Sequence, residues 1–94
     1  MNLQEHLLTC MAEECMETAQ RITKALRFGL NEVQPGQMLN NLERINVELT
    51  DLLGVASLLV DHGVAINPDP DAIVFKKAKV MKFAQYAREQ GALI

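Results

Sequence analysis

Two short acidic stretches carry residue types and spacings that can do chemistry, Glu13-Glu14-Cys15-Met16-Glu17 and Glu48-Leu49-Thr50-Asp51. Positions three apart on a helix differ by about 60° around the axis and about 4.5 Å along it. Glu14 with Glu17, and Glu48 with Asp51, therefore make two clamps whose prongs point to one side. Carboxylates converging from both clamps, with no Cys or His among them, select a hard divalent ion, magnesium first and manganese second. Magnesium takes few protein ligands and leaves positions for water and phosphate, so beside Lys and Arg such a site reads as one that handles phosphate. The first clamp taken alone is equally an ordinary solvated stripe on an acidic helix.

The second clamp is the more informative. From Val47 to Val60 the polar residues are Glu48, Thr50, Asp51 and Ser57. A helix apolar in almost every direction is expected to be buried. Asp51 has Val47 and Val55 one turn away on either side. Two buried carboxylates side by side repel by about 4 kcal/mol at 4 Å and an effective dielectric near 20, so a cation is expected to face them.

These clamps need helices to hold them. Leu8, Met11, Cys15, Ile22 and Leu26 recur at helical spacing, which predicts a first helix from Leu3 to about Leu26. The pattern breaks between Phe28 and Asn40 at Gly29, Asn31, Pro35 and Gly36, a loop longer than most helix–helix connections. Asn31, Glu32 and Gln34 there are either hydrogen-bonders for a ligand or ordinary loop polarity. Asn40 followed by Glu43 predicts a capped second helix running to about Asp61, with Gly63 as its stop. Asp69-Pro70-Asp71 opens a third, to about Gln90 before Gly91, with Val74, Ala78, Met81 and Ala84 as its core stripe and Phe75, Phe83 and Tyr86 alongside. Lys76, Lys77, Lys79 and Lys82 crowd cations onto that helix, and Lys24 with Arg27 form a second cationic pair; each group is either a solvated face or a polyphosphate contact.

The chain has 94 residues, 49% of them hydrophobic, which predicts one globular domain over residues 1–94, and the three helical patterns make it all-α. So short a chain buries only about 60 to 70% of its unfolded surface, and oligomerisation is an expected way to finish its core. A net charge of −3 argues against a nucleic-acid polymer as partner. No apolar run is long enough to span a membrane, and the N-terminus lacks the pattern of a signal peptide. Cys10 and Cys15, five apart, match neither a redox pair nor a zinc knuckle and are read as buried, reduced thiols of a cytoplasmic protein. If the first two helices pack antiparallel, Glu14 and Glu17 face Glu48 and Asp51 across the gap.

Glu-Glu-x-x-Glu at 13–17, followed about 30 residues later by Glu-x-x-Asp at 48–51, resembles the MazG-like branch of the all-α nucleoside triphosphate pyrophosphohydrolases, relatives of dimeric dUTPases and phosphoribosyl-ATP pyrophosphatases. The resemblance covers Leu3 to Val60 well and the third helix more loosely. It implies magnesium-dependent cleavage of a nucleoside triphosphate between the α and β phosphates, with Glu14, Glu17, Glu48 and Asp51 as metal ligands. Glu13 would be a further ligand or would orient the attacking water, and Lys24, Arg27, Lys76 and Lys79 would be phosphate contacts. It further implies a homodimer or homotetramer in which three-helix protomers complete a four-helix-bundle-like core. The competing expectation is a non-catalytic helical interaction module whose acids are relics or hold a structural metal.

Overall fold

The computed structural model describes residues 1–94 and contains three helices, α1 (Leu3–Phe28), α2 (Asn41–Asp61) and α3 (Pro70–Glu89), with no strand. The chain is all-α, as the sequence predicts. Each helix begins where a side chain takes over an unpaired backbone donor. Asn2 accepts from the Glu5 amide at 2.8 Å, and Asp69 accepts from the amides of Asp71 and Ala72 ahead of Pro70. Asn40 and Glu43 form a reciprocal capping box at 2.8 and 3.1 Å. Gly29, at φ 100°, ends α1 with its N–H still bonded to the Ala25 carbonyl.

The long loop is tied back onto the start of α2. Asn41, 1% exposed, donates its side-chain amide to the Gly29 carbonyl at 2.8 Å and its backbone N–H to Glu32 at 3.0 Å. Leu42 bonds Leu30 through the backbone, and the Arg44 guanidinium donates to the Gln34 amide oxygen. Gln34 therefore anchors the loop instead of standing free for a ligand. These bonds turn the chain back, so that α1 and α2 pack as a hairpin.

The seam of that hairpin has a regular repeat. On α1 it runs through Leu7, Met11, Glu14, Thr18, Arg21 and Ala25, all buried or half-buried. On α2 it runs through Asn41, Ile45, Glu48, Leu52, Val55 and Leu59, again all buried or half-buried. Steps of four and three are the spacing at which two helices meet along a coiled-coil line. The apolar stripe expected to face the core of α1 lies elsewhere: Leu8, Cys15, Ile22 and Leu26 are exposed, and Met11 alone of that set is on the seam. Hydrophobicity pointed one residue too far round because the seam itself is polar at Glu14, Thr18 and Arg21.

Two further expectations are corrected. The second helix is not buried on all sides within one chain, since Leu53 is 61% and Val60 49% exposed. The third helix packs against neither α1 nor α2, and its intended core residues Val74 and Met81 are 66% and 61% exposed. Pro68 and Pro70 bracket Asp69 and stiffen the arm that carries it. The result is an open shape with a radius of gyration of 16.9 Å, against about 12.4 Å for a compact domain of this length. Cys10 is half-buried and Cys15 exposed, and both are free, so the reading of two buried thiols also fails. No helix is long and apolar enough to cross a membrane.

Candidate metal centre

Halfway along the hairpin the seam becomes acidic. Glu14 on α1 and Glu48 on α2 occupy positions where a coiled-coil seam takes apolar side chains, and Glu17 joins them from the next turn of α1. One carboxylate oxygen from each of Glu14, Glu17 and Glu48 lies within 4.8 Å of the other two. Glu14 Oε2 and Glu48 Oε2 are shut off from solvent and have no hydrogen-bond partner. A buried carboxylate oxygen without a donor costs free energy that a proton or a cation must offset.

The electrostatics are consistent with that geometry. Burial first, then the neighbouring carboxylates of Glu17, Asp51 and Glu48, push the Glu14 carboxyl above its ordinary value. Burial likewise heads the causes that raise Glu48, followed by the close approach of Glu17 and the charge of Asp51. Glu17 lies close to both partners and adds to the rise of each. The acids are therefore crowded beyond what the chain's own donors can satisfy.

Arg21 supplies the one favourable charge that acts on Glu48. Its half-buried side chain stands one turn beyond Glu17 and two beyond Glu14 on the same side of α1. Its spacing of four from Glu17 is the signal in the sequence that marks it.

Asp51 departs from expectation. It is exposed, and it is not part of the three-carboxylate cluster. It shares with Glu14 a shallow hollow lined also by Thr50, Gly54, Val55 and Leu58, beside the cluster. The buried acid of the second clamp is Glu48, because Glu48 falls on the seam and Asp51 is turned about 60° off it. Glu13, exposed, also lies outside the cluster.

The cationic candidates divide. Lys24 is half-buried and lies two turns beyond Glu17 on the same side of α1. Arg27 stacks over the Phe28 ring at 4.8 Å, at the far end of the helix. Lys76 and Lys79 sit on α3, which touches neither helix of the clamp. Lys79 lines a surface hollow with Phe75, Ala78, Lys82 and Phe83.

The donor set suits a hard cation. All three clustered groups are carboxylates, two of them with an orphaned buried oxygen, and no sulfur or imidazole is among them. No protein-family model, no curated protein and no solved structure matches this chain.

Proposed function

We propose that the chain is a magnesium-dependent nucleoside triphosphate pyrophosphohydrolase of the MazG-like kind, releasing a nucleoside monophosphate and pyrophosphate. The observation that carries this reading is the trio Glu14, Glu17 and Glu48, whose oxygens converge from two antiparallel helices with two of them buried and unpartnered. Those three residues would hold the ion, with Asp51 beside them at the exposed hollow and manganese as an alternative occupant. When bound, such an ion supplies charge neutralisation for the phosphates and a water of lowered pKa. The chain's own residues do the rest. Glu14 and Glu48 fix the site on the seam, Arg21 partly offsets the rise of Glu48, and Lys24 offers a cation to the phosphate chain on the open side. Glu13, exposed and adjacent in sequence to Glu14, would accept a proton from water at the edge of the cluster. The two free thiols suit a reducing compartment such as the cytoplasm.

Pyrophosphate release from a panel of common and modified nucleoside triphosphates tests the proposal. Metal-dependent turnover abolished by Glu48→Ala and Glu17→Ala is expected; no turnover on any substrate, or turnover untouched by both changes, contradicts it. One observation favours a non-catalytic helical module with a structural metal. The lysines of α3 make no approach to the acids within a single chain, leaving Arg21 and Lys24 of α1 as the cations on the acids' side of the hairpin. Magnesium-dependent stabilisation without turnover is the outcome that module predicts.

A further inference from the structure

Outside the acid cluster, a second set of metal-ligating side chains lies along α1, nearer its start and of different donor chemistry. His6, Cys10 and Glu13 follow one another at steps of four and three, so all three fall within about 60° of one another around the helix. The Cys10 sulfur stands 3.7 Å from His6 Nε2. Side chains of an α-helix lean toward the turn before them, which carries Cys10 onto His6 and points Glu13 back toward Cys10. Cys10 is half-buried and free, and His6 and Glu13 are exposed.

Cys15 shows what this spacing adds. Its neighbours three and four residues away are Met11, Ala12, Thr18 and Ala19, none of which brings an imidazole or a carboxylate. The distance at Cys10 fits coordination. Zinc holds a thiolate sulfur at about 2.3 Å and an imidazole nitrogen at about 2.0–2.1 Å, and at a tetrahedral angle those bonds set the two donors about 3.6 Å apart. The observed 3.7 Å is close to that edge. Sulfur and nitrogen thus stand as one side of a zinc tetrahedron with no change in the backbone of α1.

We infer that His6 and Cys10 form a zinc(II) site, with the Glu13 carboxylate as third ligand and water as the fourth. His6 ligates through Nε2 in its neutral form, and the Cys10 thiol gives its proton to solvent as the sulfur–zinc bond forms. Glu13 reaches the ion by rotation of its exposed side chain. Donor chemistry keeps this site apart from the acid trio, which begins one turn further along α1 at Glu14. Thiolate and imidazole select zinc and are passed over by magnesium, whereas an all-carboxylate set suits magnesium. The stripe faces solvent, so the ion has an open path in.

The site stands apart from the pyrophosphohydrolase reading, and measuring it needs no turnover. Cobalt(II), which takes zinc sites and reports on its ligands by colour, is titrated into the reduced full chain and into a Glu14→Gln, Glu17→Gln, Glu48→Gln variant that lacks the acid trio. A sulfur-to-cobalt charge-transfer band in the near ultraviolet is expected in both, saturating at a single equivalent, bleached by zinc and untouched by excess magnesium. Cys10→Ser is expected to abolish the band and Cys15→Ser to leave it intact. His6→Ala is expected to weaken cobalt affinity by more than about 10-fold, since even a group that only adjoins a metal's ligands is worth that much. Glu13→Gln is expected to weaken it by a smaller factor, with circular dichroism confirming that every variant stays helical. No band in the wild type, or a band that survives Cys10→Ser, overturns the site. Equal affinity in the wild type and His6→Ala overturns it as well, leaving the 3.7 Å contact as an S–H···N hydrogen bond. Affinity unmoved by Glu13→Gln overturns the place of that residue among the ligands.

Discussion

Glu14 and Glu48 face each other across the α1–α2 seam, each with one carboxylate oxygen removed from solvent and lacking a hydrogen-bond donor. Two helices that could have met through apolar residues instead meet there through acids, which costs stability in the absence of a cation. The first prediction follows from that cost. In a chelator, Glu48→Gln and Glu14→Gln are expected to raise the thermal midpoint at neutral pH by several degrees, because each replaces a desolvated charge with an amide that can donate to its neighbours. Thermal melts of the metal-free proteins check this, and a lowered midpoint in both variants contradicts it.

Magnesium is expected to reverse the ranking. A ligand present at 100 times its dissociation constant stabilises the folded chain by about 2.7 kcal/mol, worth roughly 10 °C or more in a domain this small. The wild type should gain that shift and lose it on addition of chelator, while Glu14→Gln and Glu48→Gln should show little of it. Scanning fluorimetry across a magnesium series is sufficient.

The pH dependence has a definite sign. Burial and neighbouring carboxylates raise both Glu14 and Glu48 above the ordinary value of 4.5 that the unfolded chain retains. Below that value both states are protonated and the contribution of these groups to stability is fully present. As pH rises toward the raised folded values, the unfolded chain gives up its protons more readily than the folded one, so stability falls. Melts in chelator should therefore show a midpoint declining from the ordinary carboxylate range upward, and saturating magnesium should flatten the decline because the cation replaces the proton. Glu14→Gln and Glu48→Gln should each weaken the slope.

Turnover should rank the acids by their place in the cluster. Glu17→Ala and Glu48→Ala are expected to abolish it. Asp51→Ala, removing an exposed neighbour of the trio, is expected to cost about 10- to 100-fold in metal affinity or rate, the range seen when a group adjoining a metal's ligands is lost. Glu13→Ala should leave the magnesium-induced thermal shift unchanged, and any loss it causes should fall on turnover alone.

Asn41 tests the scaffold. Its amide holds the Gly29 carbonyl at 2.8 Å from a fully buried position, so Asn41→Ala is expected to cost about 1–3 kcal/mol. At roughly 4–8 °C per kcal/mol for a chain of this size, the midpoint should drop clearly with and without metal, which separates loop anchoring from metal binding.

The local rules of helix starts and stops made the three helices legible. Asn40 with Glu43, Asp69 with Pro70, and Gly29 act through neighbours within a few residues, and those are visible in the sequence. Packing was less so. The stripe Leu8, Cys15, Ile22, Leu26 is the most apolar line on α1, yet the intramolecular contact runs one residue earlier through Glu14, Thr18 and Arg21. A search for hydrophobicity finds the surface that most needs covering, and in this chain that surface is not the one the hairpin covers. The same reason misplaced Asp51: its valine neighbours signalled burial, but burial belongs to the seam, where Glu48 lies. The third helix packs against neither α1 nor α2, and its apolar residues carried no information about what they would meet.

The most direct test of the metal centre is a manganese titration followed by loss of the free-ion paramagnetic resonance signal, on the wild type and on a Glu14→Gln, Glu17→Gln, Glu48→Gln triple variant confirmed as helical. Saturable binding by the wild type that disappears in the triple variant is the predicted result. Absence of binding by the wild type, or equal binding by both proteins, would contradict a cation site built on the α1–α2 seam.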